Sequence, residues 1–435
     1  MTEQIMAEQT FSYRTIAEVL DFGPYITKVI LMPGESPAGA SPRPEQFRVW
    51  VQRKLRGQNA QEAVLVGERA QLPMEGERRV TAAYVSDDEG RAEPQGEYIT
   101  LELECDPRDG LGSIMCFDGR FNVFVDVAYT ITMEKPLRTA AGTIPPCVFD
   151  KNSGSRLLLG ELLREARHED AELSLRYSYY EPSPEADGKA PLLIWLHGLG
   201  EGGEDTKIAA VANKVVNLIS PEIQKIFGGK AYLLVPQAPT WWMDPGDGVQ
   251  QADDGRSIYI GPLRRLIEDF LALHPNVDKN RVYLGGDSNG GYMTVNMVIH
   301  YPELFAAAFP VCECYRDTAI SQEQLERLAR VPLWFTAARN DKVVPVEQYV
   351  VPTYQRLRAM GAEVHLTLWD KVEDKTGRWR KEDGTPYEYD GHCSWIPMLN
   401  NENGVDYNSQ PVRMDGREVS LLEWVAGKKK DRRHL

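Results

Sequence analysis

The sequence predicts an α/β fold, a mostly parallel sheet flanked by helices, preceded by an all-β sandwich. Three observations carry this. About the first 135 residues alternate apolar and polar positions with a period near two. Beyond about residue 190, short uninterrupted apolar runs alternate with segments of helical spacing. A glycine-rich turn holding a serine joins one such run to one such segment. Period-two alternation marks strands with one face in a core and one in water. Uninterrupted runs mark strands covered on both faces, and their alternation with helices marks a parallel sheet.

In the first half the alternating stretches are 25–32 (YITKVILM), 47–55 (FRVWVQRKL), 80–85, 98–105 (YITLELEC) and 121–133 (FNVFVDVAYTITM). Turns rich in Gly, Pro and Asp separate them, as in an antiparallel sandwich. No catalytic grouping of His, Cys or carboxylates falls in this half, so its expected role is structural. Its exposed sheet edges leave it open to homo-oligomer formation. The stretch 134–155 (EKPLRTAAGTIPPCVFDKNSGS) is rich in Pro, Gly, Ser and Thr. The expected junction lies near residue 138, giving domains 1–138 and 139–435.

In the second half the apolar runs are 192–196 (LLIWL), 232–235, 282–284, 306–311, 331–335 and 364–369. Leu263, Leu266, Ile267, Phe270 and Leu271 keep helical spacing, as do Tyr349, Val350, Tyr354, Leu357 and Met360. The tail 428–435 (KKKDRRHL) reads as a solvated charge run.

Composition narrows the function. With 49 Lys and Arg against 64 Asp and Glu, the 435-residue chain carries a net charge of −15. A field of that sign repels phosphate backbones and anionic lipid, so neither a nucleic acid nor a membrane is an expected partner. No apolar run reaches the roughly 18 residues that a spanning helix needs. The opening MTEQIMAEQTFSYR has no basic and apolar leader pattern, so the expected location is cytoplasmic, or secreted if a leader has been trimmed. The six cysteines include no CxxC pair, and Cys312-Glu313-Cys314 has the wrong spacing for a zinc knuckle. Free thiols and no metal are expected.

The chemistry centres on Gly286-Asp287-Ser288-Asn289-Gly290, a G-x-S-x-G pattern. It follows an apolar run and precedes the helix-length segment 292–299, the strand–turn–helix context in which such a serine is exposed for attack. A serine hydroxyl needs a base, and the base needs an orienting acid. On such a sheet the partners follow in the order Ser, acid, His. Three histidines have an acidic residue between them and the serine: His365, His392 and His434. His434 lies in the charged tail, and His365 lies at the entering end of its strand, leaving His392 as the expected base. Asp341, just past the end of the 331–338 strand, is the expected acid, with Asp370 as its rival. The oxyanion donors are expected to be the N–H groups of Asn289 and of Leu199, the latter in the loop HGLGEGG at 197–203. His197 is expected to hold that loop.

Taken with YPELFAAAFPVC at 301–312, ARNDKVVP at 338–345 and GHCSW at 391–395, these motifs resemble the α/β-hydrolase superfamily over about residues 170–425. The likeness is greatest to polyhydroxybutyrate-depolymerase and feruloyl-esterase-like carboxylesterases. The β-rich first part resembles the immunoglobulin-like domain that some bacterial esterases carry. The resemblance implies a serine carboxylesterase acting on a small-molecule ester, with Ser288, Asp341 and His392 as triad and no cofactor. Trp241 and Trp242, after the 232–238 strand, and Trp395, near His392, are the expected pocket walls. The acidic loop 244–254 points to neutral esters. Residues 371–391 are expected to form a hairpin or flap. Two alternatives stand: a peptidase of prolyl-oligopeptidase type, for whose propeller the first part is too short, and a non-catalytic interaction protein on a hydrolase scaffold.

Overall fold

The computed structural model describes residues 10–56, 74–183, 188–248 and 251–430. The chain forms two compact units, Met1–Glu161 and Leu162–Leu435.

In the first unit the strands follow one another in space as Glu75–Arg78, Phe47–Leu55, Asn122–Met133, Cys147–Leu157, Thr10–Leu20, Gly23–Met32, Tyr98–Leu103 and Val80–Ser86. The short strand Met115–Phe117 pairs off on Asn122–Met133. Phe47–Leu55 shows why the sequence folds this way: every second residue, from Phe47 to Leu55, is buried, and those between are exposed. Val49, Val51, Ile131, Leu101 and Phe149 meet in one apolar core. Two arginines also point inward. Arg53 donates to Met115 O at 2.8 Å. Arg78 donates to Ile26 O, the Tyr129 hydroxyl and Glu104 O at 2.8, 2.8 and 2.7 Å. Carbonyl and hydroxyl oxygens thus replace the water that a buried guanidinium loses.

The boundary differs from the expected 138. Cys147–Leu157 begins inside the stretch read as a linker and runs two residues past it, yet it lies mid-sheet, parallel to Thr10–Leu20 and antiparallel to Asn122–Met133. Most of its side chains face solvent; Phe149 is buried in the core, and Cys147 and Leu157 pack against its margin. Backbone pairing holds it, helped by Ser153 Oγ donating to Tyr13 O at 3.1 Å. A strand held this way shows no apolar rhythm.

The second unit is built on eight strands: β1 (Arg164–His168), β2 (Leu175–Tyr180), β3 (Ala190–Leu196), β4 (Tyr232–Gln237), β5 (Val277–Asp287), β6 (Ala307–Val311), β7 (Leu333–Ala338) and β8 (Val364–Trp369). Their spatial order is 1-2-4-3-5-6-7-8. Strand β2 runs against both neighbours; β4-β3-β5-β6-β7-β8 are mutually parallel. Every residue of β3, β4, β6 and β7 is buried, as apolar runs covered on both faces require. Helix α1 (Ile260–Leu273) buries the predicted stripe Leu263, Leu266, Ile267, Phe270 and Leu271. Helix α2 (Asn289–His300) follows β5 after a single residue and is buried nearly all round. In helix α3 (Val350–Ala359), Val350, Tyr354 and Leu357 face inward, while Met360 lies past its end and is exposed. The α/β fold behind a β-sandwich is thus the one the sequence predicts. Because β3 to β8 run parallel, the loops after them gather along one carboxyl edge.

Between β8 and His392 the chain makes a hairpin. Asp374 N–H donates to Tyr387 O at 2.8 Å, Tyr387 N–H to Trp379 O at 3.0 Å and Tyr389 N–H to Val372 O at 2.9 Å. The described part of the tail departs from the solvated reading: Lys430 donates its N–H to Asn280 O at 3.0 Å and its Nζ to Glu303 O at 3.1 Å. Residues 431–435, with His434, lie outside the described residues, as does the opening nonapeptide. No helix among the described residues is long and apolar enough to cross a membrane.

At the entering end of β8, His365 Nδ1 lies 2.8 Å from Asp406 Oδ2. Burial pushes the Asp406 carboxyl up, but hydrogen bonds from His365, Leu366 N–H and Tyr407 N–H outweigh it and hold the group at about 2. A carboxyl depressed on folding stabilises above its unfolded value of 3.8, and that stabilisation fades as pH falls toward 2. Asp406→Asn should therefore lose about 2 kcal/mol at neutral pH. Urea titrations should show the difference from the parent shrinking below about pH 4.

Candidate active site

Strand β5 ends at Asp287 and α2 begins at Asn289, so Ser288 alone makes the turn. Its backbone sits at φ 53° and ψ −113°, a region that residues with a β-carbon avoid. Neighbours on two elements hold it there. Ser288 N–H donates to Val311 O at the end of β6, and Ser288 O accepts from Tyr292 N–H in the first turn of α2, both at 2.9 Å. The flanking glycines allow the approach. A β-carbon at Gly286 would lie 2.6 Å from Leu196 O, and one at Gly290 would lie 1.9 Å from the same oxygen.

The turn lifts Ser288 Oγ to 2.9 Å from His392 Nε2, and His392 Nδ1 lies 2.8 Å from Asp341 Oδ2. Asp341 is almost fully buried in the loop after β7. Its Oδ1 accepts the N–H groups of Val343 and Val344 at 2.8 and 2.9 Å, which fixes the aim of Oδ2. His392 rides on a short turn, Gly391–Cys393, capped by Asp390, whose Oδ1 accepts His392 N–H at 2.8 Å. With the Nδ1 proton given to Asp341, the Nε2 lone pair faces the serine hydroxyl. The rival acid Asp370 is 91% exposed and pairs with Arg339 at 3.2 Å, outside this line.

Two segments bring backbone donors to the same edge. The turn Leu199–Glu201 follows β3, and Asn289 opens α2, where the first N–H groups have no intrahelical acceptor. His197 braces the first segment: its Nδ1 donates to Gly198 O at 2.6 Å and its Nε2 accepts Ala238 N–H at 3.0 Å. Burial pushes His197 down to about 4, so the ring is neutral at pH 7 and keeps one donor and one acceptor nitrogen.

The three tryptophans separate. Trp242 does not face a pocket: it is fully buried, with its ring 5.1 Å from His197 and 5.4 Å from Tyr259. Its backbone N–H donates to Asn289 Oδ1 at 2.7 Å, and the indole turns into the core. Trp241 is half-buried. Trp395 meets the His392 ring edge to face at 5.8 Å. The loop 244–254, of which 249–250 lie outside the described residues, is not a bare acidic rim either. Buried Asp244 accepts the Gly246, Asp247 and Gly248 N–H groups, Asp253 pairs with Arg316 at 2.6 Å and Asp254 with Arg256 at 3.0 Å. Sequence reasoning also missed Cys314, whose Sγ donates to Ser288 O at 3.3 Å; its proximity follows from β6 pairing with β5.

The turn is sterically closed. Gly290→Ala should cost about 3 kcal/mol or more in unfolding free energy, because the clash is with backbone that cannot rotate away. Ala at the exposed Gly154, which has no positive φ and where a β-carbon's nearest neighbour lies 4.0 Å away, is the matched control for thermal unfolding.

Residues 12–146 match the family described as the esterase Ig-like N-terminal domain, and residues 183–376 match the phospholipase/carboxylesterase family. Poly(3-hydroxyalkanoate) depolymerase C of Paucimonas lemoignei is 31% identical over 133 residues, 28% of this chain. The match spans 27% of that relative's length. A crystal structure of a thermostable esterase superposes with a TM-score of 0.72 at 24% identity, covering 96% of this chain and 100% of that one. That likeness extends to the fold of both units. The chain thus carries an esterase domain of the α/β-hydrolase superfamily, a serine-hydrolase-like family, behind an Ig-like N-terminal domain.

Proposed function

We propose that this protein is a serine carboxylesterase that hydrolyses small neutral carboxylic esters through an acyl-enzyme. The reading is carried by one observation, the continuous hydrogen-bonded line from Ser288 Oγ through His392 to Asp341 at 2.9 and 2.8 Å. Ser288 Oγ attacks the ester carbonyl carbon while His392 Nε2 takes its proton. Asp341 keeps the Nδ1 proton in place and stabilises the imidazolium. Negative charge gathers on the carbonyl oxygen, toward which the Leu199 and Asn289 N–H groups act as donors; each is worth about 3 kcal/mol at the transition state. Collapse expels the alcohol with a proton from His392. Water, activated by the same nitrogen, then attacks the acyl-enzyme and releases the acid. Apart from the ester and water, every group in these steps is a residue of this chain.

Trp241 and Trp395 are the aromatic walls this reading keeps for the ester's acyl and alcohol parts. The depolymerase among the relatives is named for poly(3-hydroxyalkanoate), so short 3-hydroxyacyl esters belong in the substrate panel beside acetyl and butyryl esters.

Ser288→Ala should lower kcat for p-nitrophenyl acetate by about 10⁴-fold or more with the melting temperature preserved. Asp341→Asn should lower kcat by about 10³- to 10⁴-fold through loss of the correct tautomer. Equal turnover by Ser288→Ala and its parent refutes the assignment.

A further inference from the structure

Beside the loop that carries Leu199 lies a pair of buried acids that the steps above do not use. Asp287, the residue before Ser288, is 1% exposed, and Glu201, in the turn after β3, is 3% exposed. Both reach one spot. A β-carbon at Gly198 would meet Asp287 Oδ2 at 2.7 Å and Glu201 Oε2 at 2.9 Å. Two oxygens within 3 Å of one point are no more than about 6 Å apart, a range in which like charges oppose each other's ionisation. Asn213 Nδ2 donates to both oxygens, at 2.9 Å to Asp287 and 3.3 Å to Glu201. Trp195 Nε1 donates to the other Asp287 oxygen at 3.1 Å. Burial first, and then the neighbouring Glu201, push the Asp287 carboxyl well above the ordinary range.

The other ionisable groups nearby have partners or burial of their own. His197 is neutral and bonded to Gly198 O and Ala238 N–H. Burial pushes the Cys312 thiol up and holds Cys393 up at about 12. Asp341 is given to His392, and Lys214, next to Asn213, donates its Nζ to Asn400 Oδ1 at 2.8 Å.

The position of the pair gives it a use. Asp287 precedes the turn that presents Asn289 N–H, and Glu201 closes the turn that presents Leu199 N–H. Gly198, whose missing side chain leaves room for both carboxyls, immediately precedes Leu199. We propose that Asp287 and Glu201 hold one proton between them at neutral pH and clamp the 198–201 loop to the Ser288 turn, as positioning residues for the two N–H donors. Loss of that proton places two like charges in a site shut off from water, and the repulsion drives the donor segments apart. The damage falls on kcat rather than KM, because the donors act most strongly once charge has developed on the substrate oxygen.

The inference rests on the serine-esterase reading, so Ser288→Ala is measured alongside; activity in that variant would remove the reading itself. The test is kcat and KM for p-nitrophenyl acetate between about pH 6 and 10, with circular dichroism at each pH, in the parent, Glu201→Ala, Glu201→Gln and Asp287→Asn. The parent should lose kcat on the alkaline side while still folded. Both amide variants should extend the plateau upward by about one pH unit or more. At neutral pH, Glu201→Ala should lower kcat about tenfold or more with KM within about threefold, and Glu201→Gln should recover at least about a third of the parent rate. An alkaline fall that stays in place in both amide variants, or Glu201→Gln no better than Glu201→Ala, overturns the clamp.

Discussion

The site depends on one constrained turn. Ser288 occupies a backbone conformation that a residue with a side chain adopts only under compulsion, and the compulsion comes from three sides. Val311 O at the end of β6 takes its N–H, α2 starts immediately after it, and the end of β3 lies so close that only glycine fits at 286 and 290. A strand passing into a helix over one residue must bend outward, so the side chain at the bend projects beyond the sheet's carboxyl edge. The burial that stabilises β3, β5 and β6 therefore also offsets the strain of holding the hydroxyl out.

The remaining groups reach that hydroxyl because parallel strands deliver their loops to one edge. Asp341 comes from the loop after β7, and His392 comes from beyond the hairpin that follows β8. Each is oriented by local backbone: two N–H groups fix the Asp341 carboxylate, and the Asp390 cap fixes the turn under His392. His197 and Trp242 do similar work under the opposite wall: His197 ties the segment after β3 to the one after β4, and Trp242 N–H ties the loop after β4 to Asn289 at the start of α2. Long sequence separations thus become short distances without any side chain needing to reach far.

How much of this is legible in the sequence depends on whether a residue's role is written in a periodic pattern. Phe47–Leu55 and the runs behind β3, β4 and β7 are legible because burial on one or both faces dictates residue type. The serine turn is legible because sterics demand glycines at fixed offsets. Cys147–Leu157 is hidden because backbone pairing, with solvent on most of its side chains, leaves no apolar trace, and the domain boundary moves with it. Arg53 and Arg78 point inward where the pattern calls for apolar residues, since the oxygens that satisfy them come from other strands. Trp242 follows the rule for a loop leaving the carboxyl edge, yet its indole packs against the His197 and Tyr259 rings in the core. The Asp287 and Glu201 carboxyls stand 86 residues apart in the sequence, with no pattern linking them. Only the fold shows that they share the space left at Gly198.

The account's central claim is that Ser288 is nucleophilic because His392 and Asp341 stand in line behind it. The most direct test is to treat the protein with a fluorophosphonate ester and map the adduct by peptide mass spectrometry. The account predicts a single phosphonylated site, on Ser288, whose formation slows by orders of magnitude in His392→Ala. A adduct on another residue, or labelling of Ser288 at the same rate without His392, would contradict it.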